Sequence, residues 1–179
     1  MNSELEVLQD VSRRLTTLGL SFMLTGSFAL AWYETPRMTR DLDLVVAIAE
    51  DDVGCLTAAF SADYYLDADA ARAAIRSERL FNLMHFASGI KVDLIVRKST
   101  EYRQVEFSRR KAITFAGVPT WIVSREDLIL SKLVWARESS SELQLRDVRQ
   151  LLGTGLELDY LLRWASVLGV DARLRELLP

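Results

Sequence analysis

The sequence predicts an α+β protein: a small mixed β-sheet flanked by helices, followed by a C-terminal helical bundle. Three observations carry that expectation. Short runs rich in Val, Leu, Ile and Phe recur between Ser21 and Val123, bounded by Gly, Ser, Asp or Pro. Segments with apolar residues three and four apart alternate with them, and from Ser124 onward that helical spacing is continuous. The composition, 179 residues with 50% hydrophobic, 26% charged and three prolines, suits one compact folded unit with a real core.

Each element follows in turn. Leu5, Leu8, Val11, Leu15 and Leu18 form the apolar stripe of a first helix that Gly19 ends. Residues 21–25 read as a buried strand that stops at Gly26-Ser27, and 28–33 read as a short helix. After a loop around Thr35-Pro36, residues 41–48 read as a second strand. Residues 51–60 and the Ala-rich 67–77 read as helices, and 80–86 and 91–96 as a hairpin turning at Ser88-Gly89. Residues 101–110 are expected to be helical, and strands 112–115 and 120–123 flank a turn at Ala116-Gly117. Helices over 124–137, 142–152, 159–168 and 171–178 complete the chain. The expected organisation is a core over 1–123 and a helical subdomain over 124–179 packed on it.

Several classes of function are excluded at this level. One cysteine, Cys55, and one histidine, His85, supply neither an intrachain disulfide nor a zinc site, so any metal must be held by oxygen. The first residues, MNSELEVLQDVSRR, are acidic and amphipathic, unlike a secretion signal. The uncharged stretch over 19–33 is too short and too interrupted to span a bilayer, so the expected location is cytoplasmic. A formal net charge of −3 argues against coating nucleic acid by bulk electrostatics. Locally, Arg97, Lys98, Arg103, Arg109, Arg110 and Lys111 stand against only Glu101 and Glu106. That block reads either as a solvated helix face or as a landing strip for a polyanion such as RNA.

The chemistry concentrates in Asp41-Leu42-Asp43-Leu44. Residues two apart on a strand face the same way, so both carboxylates share one side while the leucines face the core. Adjacent like charges are tolerable on a wet face or beside a hard divalent cation, and for an isolated DxD both readings stay open. Three features favour the cation. Gly26-Ser27 lies where a strand turns into a helix, which presents backbone N–H groups to phosphate. Asp93 sits among aliphatic residues in another strand and is able to complete a three-carboxylate cluster. Arg37 and Arg40, just upstream, are suited to triphosphate oxygens or to the carboxylates themselves.

Gly26-Ser27, thirteen intervening residues, the Asp41/Asp43 pair and a later strand acid at Asp93 together resemble the polymerase-beta-type nucleotidyltransferase superfamily. The resemblance spans about residues 22–96. It implies transfer of a nucleoside monophosphate from an NTP to an acceptor hydroxyl. Asp41, Asp43 and Asp93 would hold Mg²⁺ or Mn²⁺, Asp93 would also act as base, and Gly26 and Ser27 would seat the triphosphate.

The tail adds a Lys and an acid on apolar helix faces. Lys132 falls among Leu128, Ile129, Leu133 and Ala136, and Asp147 among Leu143 and Leu151. A structural ion pair, a snorkelling lysine and a working pair are all compatible with that placement. Lys132 and Arg146-Asp147 resemble the abortive-infection toxin branch of these transferases, in which a Lys and an Arg-Asp pair follow the sheet. The resemblance implies that Lys132 neutralises charge on the leaving pyrophosphate, that Asp147 orients Lys132 or assists acceptor activation, and that the acceptor is RNA (tRNA), met through Arg97 to Lys111, or protein, with an antitoxin protein as a further partner. The chain departs from that pattern after Asp147, where Val148, Arg149 and Gln150 supply no further acid.

Three other functions compete. A small-molecule nucleotidyltransferase of the aminoglycoside-modifying kind uses the same acids, a non-catalytic nucleotide-binding module keeps only the fold, and a DxD glycosyltransferase leaves the glycine turn without a purpose. His85 has no neighbour to pair with it as base, Cys55 has no basic neighbour, and Trp32, Trp121, Trp135 and Trp164 are expected in the core.

Overall fold

The computed structural model describes residues 3–34 and 41–178. Among them one seven-stranded mixed sheet is flanked by helices and followed by a helical bundle, as the sequence predicts. The elements are α1 (Ser3–Thr17), β1 (Ser21–Leu24), α2 (Gly26–Tyr33), β2 (Leu42–Ala47), α3 (Val53–Phe60), β3 (Tyr64–Tyr65) and α4 (Ala68–Arg76). Then come β4 (Leu80–His85), β5 (Lys91–Val96), α5 (Glu101–Ser108), β6 (Lys111–Phe115), β7 (Val118–Ile122), α6 (Arg125–Ser139), α7 (Glu142–Leu151), α8 (Leu158–Val167) and α9 (Asp171–Leu177). Two details differ from expectation. Helix α2 begins at Gly26 itself, and the two-residue strand β3 was not anticipated because so short a segment carries no alternation of its own. No helix among the described residues is long and apolar enough to cross a membrane.

The strands lie in the order β3-β4-β5-β2-β1-β7-β6. Sequence neighbours β1 and β2, β4 and β5, and β6 and β7 pair antiparallel, whereas β2 with β5 and β1 with β7 run parallel. Period-two patterning sorts the two faces. Leu42, Leu44 and Val46 of β2, Val92, Leu94 and Val96 of β5, and Phe81 and Leu83 of β4 are buried on one side. Asp43, Lys91, Asp93, Leu80, Asn82 and Met84 occupy the other. Helix α1 packs beside the first set, where Ser12 Oγ meets Thr120 Oγ1 at 3.2 Å and Tyr64 donates to Asp10 at 3.0 Å.

Charged groups buried between α5, α6 and α8 tie the sheet to the tail. Asp127, fully buried in the first turn of α6, accepts from Ser124 Oγ at 2.6 Å, Tyr160 Oη at 2.6 Å and Arg109 Nε at 3.3 Å. Buried Glu106 is held by Arg103 at 2.9 Å to each oxygen and by Ser131 at 2.7 Å. Burying these carboxylates is tolerable because their oxygens meet cationic or hydroxyl donors.

These contacts correct the reading of the basic block. Arg103 and Arg109 point into internal ion pairs, so 97–111 is not a continuous cationic strip. Arg110 stacks over Phe107 and Trp121, with its carbon centre 4.5 and 4.9 Å from the rings, leaving Arg97, Lys98 and Lys111 as the exposed basic residues, with Glu101 exposed beside them. The tryptophan expectation is also corrected. Only Trp164 is in the core, whereas Trp32, Trp121 and Trp135 are exposed, because strand and helix alternation turns them outward. On α7 the buried face is Gln144, Leu145, Asp147, Val148 and Leu151, with Leu143 outside it.

Replacing Asp127 with Ala leaves Tyr160, Ser124 and part of Arg109 without their buried acceptor. A loss of about 3 kcal/mol in urea unfolding is expected for Asp127→Ala; a loss below about 1 kcal/mol would mean the network does not anchor the tail.

Candidate active site

The candidate site forms where β1 ends, at the centre of the sheet. Thr25 donates its backbone N–H to the Asp43 carbonyl at 2.9 Å, and Gly26 then turns the chain at φ +62° into α2. A Cβ at Gly26 would stand 2.0 Å from Asp43 Oδ2 and 2.8 Å from its Cγ. Two constraints therefore select glycine here: a left-handed backbone angle and the carboxylate lying against the turn. The Thr25 side chain makes no cap hydrogen bond to α2. Ser27 is buried in that first turn.

Parallel pairing sets Asp43 of β2 directly beside Asp93 of β5, on the same face. Asp41, two residues ahead of Asp43 and just outside β2, is exposed. Asp43 pays for this company: burial first, then the negative charges of Asp93 and Asp41, push its pKa up to about 6, against partial relief from Lys91 and Lys132. Asp93 is engaged on both oxygens. Lys91 Nζ lies 3.0 Å from Oδ2, and the Asn82 amide, oriented with its nitrogen toward Asp93, donates to Oδ1 at 3.0 Å. The hydrogen bond to Asp93 holds the Lys91 ammonium above its ordinary pKa.

On the helical side, Lys132 of α6 and Asp147 of α7 are both buried and pair at 2.7 Å, and Gln144 Oε1 accepts from Lys132 at 3.1 Å. The Lys132 charge acts on Asp43 at a distance and lowers its pKa slightly, the smallest of the influences on that group. The structure thus sets Asp43 beside Asp93 and against the Gly26 turn, and pairs Lys132 with Asp147 on the helical side. Arg37 and Arg40, the other expected phosphate ligands, lie outside the described residues. His85 points to the opposite side of the sheet, with Nδ1 2.8 Å from Ser88 Oγ and its ring against Tyr64.

A hard divalent cation suits this donor set. The acids offer only carboxylate oxygen, carry more negative charge than Lys91 offsets, and stand beside a turn shaped to the Asp43 carboxylate. Among the described residues, no group of three or more His, Cys, Asp or Glu side chains is placed to hold a metal ion. Lys91 and Asn82 engage the two oxygens of Asp93.

Sequence reasoning missed those two residues. Lys91 was within reach of the alternation argument applied to Asp41 and Asp43, since it too stands two residues from an acid on a strand. Asn82 needed the β4–β5 register, in which it pairs with Asp93.

This architecture is the nucleotidyltransferase fold. It is similar to the antibiotic-resistance factor ANT(2'')-Ia, with a TM-score of 0.64, 16% identity and coverage of 97% of this chain and 92% of that one. That enzyme in complex with adenylyl-2''-tobramycin aligns at a TM-score of 0.60. It is also similar to an antigenic nucleotidyltransferase-like protein from Paracoccidioides brasiliensis (TM-score 0.57, 16% identity, 98% and 92% of the two chains). The lincomycin-bound lincosamide adenylyltransferase LnuA aligns at 0.54, with 11% identity and 84% and 96% coverage. No protein-family model and no curated protein sequence matches the chain.

Two measurements probe the contact between the turn and the acid. Gly26→Ala is expected to destabilise by about 3 kcal/mol, of which about 1 kcal/mol persists in an Asp43→Ala background where only the backbone angle is strained. Equal costs in both backgrounds would deny the steric contact. Asp43→Asn removes a buried charge crowded by its neighbours and is expected to stabilise the metal-free protein by on the order of 1 kcal/mol, read by thermal melting.

Proposed function

We propose that the chain is a nucleotidyltransferase that moves a nucleoside monophosphate from an NTP to an acceptor hydroxyl, with release of pyrophosphate. The observation that carries this reading is the pairing of Asp43 with Asp93 beside the Gly26 turn. Asp41, Asp43 and Asp93 would hold Mg²⁺ or Mn²⁺, which when bound neutralises phosphate charge and acidifies a hydroxyl near it. The amides at Gly26 and Ser27 seat triphosphate oxygens at the start of α2. Asp93 takes the acceptor proton. Lys132 balances negative charge as pyrophosphate departs, and Asp147 and Gln144 fix its ammonium. In this reading residues 1–123 form the catalytic core and 124–179 the subdomain that supplies Lys132.

The acceptor divides the reading in two. An RNA acceptor, with the chain acting as a toxin restrained by an antitoxin protein, is supported by the exposed Arg97, Lys98 and Lys111 and by the resemblance of Lys132 and Asp147 to the abortive-infection branch. A small-molecule acceptor is supported by two observations: Arg103 and Arg109 are turned inward, and the fold is like enzymes whose structures hold tobramycin or lincomycin species.

One assay addresses both: purified protein, each labelled NTP in turn, Mg²⁺, and either cell RNA or a panel of aminoglycosides and lincosamides. Labelled product is expected in one arm, lost to background in Asp43→Ala and reduced about 10²-fold or more in Lys132→Ala. Calorimetric binding of NTP without turnover in any arm would replace the enzyme by a nucleotide-binding module.

A further inference from the structure

We propose that Lys91 is a positioning residue of the metal site: a built-in counter-cation that holds Asp93 in the metal-free protein and must be displaced before Asp93 can ligate a divalent ion. This rests on the reading of Asp41, Asp43 and Asp93 as the metal-binding acids.

The geometry is specific. Lys91 and Asp93 are two residues apart on β5, so their side chains rise from the same face, and Nζ reaches Oδ2 at 3.0 Å. Asp93 is the better buried of the two, its side chain 13% exposed against 33% for Lys91. Its second oxygen accepts from Asn82 at 3.0 Å. A cation arriving beside Asp43 therefore meets a third acid whose oxygens both have donors.

The two donors have different fates. The Asn82 amide is neutral and can keep Oδ1 while Oδ2 turns to a metal, so it orients the carboxylate. The Lys91 ammonium repels any cation that shares Oδ2 and has to leave. A flexible four-carbon stem and partial exposure allow departure without breaking the core. A partly exposed ion pair is weak, so the competition is modest: about five- to tenfold in metal affinity.

The test is binding of Mn²⁺ alone, without nucleotide, followed by the electron paramagnetic resonance of the free ion. Wild type is compared with Lys91→Gln, Lys91→Arg, Asp43→Asn and Lys98→Gln, each checked for folding by circular dichroism. Lys98 is exposed just beyond β5 and controls for loss of one positive charge. Lys91→Gln is expected to bind about five- to tenfold more tightly, with Lys91→Arg near wild type, Lys98→Gln unchanged and Asp43→Asn much weaker. Equal or weaker binding by Lys91→Gln, while Asp43→Asn still abolishes binding, overturns the role of Lys91 and leaves the metal site standing. An equal gain in Lys98→Gln overturns it as well, since bulk charge would then suffice. Millimolar Mn²⁺ failing to bind wild type and all variants alike overturns the metal reading and this inference together.

Discussion

The organising constraint is the parallel pairing of β2 with β5, which forces two carboxylates into adjacent positions on one face of the sheet. Such a pair is uncomfortable in a half-buried setting, and the surroundings bear the marks of it. Gly26 makes room for one acid, Lys91 neutralises part of the other, and Lys132 approaches from the helical side. A fold built for stability alone would place aliphatic side chains at these positions, as it does two residues further along at Val45 and Ile95. The acids are thus a local disagreement with the rest of the core, and such disagreements are expected at candidate functional sites.

How much of this was legible in the sequence depends on the range of the interaction. Alternation within a strand is a local property, so the shared side of Asp41 and Asp43 and the inward leucines could be read directly. The helical tail was equally readable, because four stretches of 3.6-residue periodicity need no partner to be recognised. What is non-local was not readable. The two-residue β3 exists only because β4 offers it an edge, and the start of α2 at Gly26 reflects packing against Asp43. The meeting of Asn82 with Asp93 is set by hairpin register.

The basic block illustrates the same limit from the other direction. Counting charges along 97–111 treats every arginine as solvated. Helix α5 and the residue that caps it instead turn Arg103 and Arg109 toward Glu106, Asp127 and Glu157, acids that lie up to 48 positions away in sequence. Composition measures how much charge a segment holds, whereas packing decides how much of it faces water. The tryptophans err in the opposite sense, since bulk and apolarity suggested burial where the alternation of β7 turned Trp121 outward.

The short passage from Ile122 to Ser124 touches both ends of α2. Ile122 pairs with Leu24 just before the glycine turn, Val123 donates to the Leu24 carbonyl at 3.0 Å, and the Val123 carbonyl accepts from Tyr33 at the last residue of that helix at 2.7 Å. Ser124 then caps α6, the helix that bears Lys132. This clasp gives both ends of α2 and the start of α6 one shared anchor of three consecutive residues, so the glycine turn and the helix that bears Lys132 hold a fixed spacing.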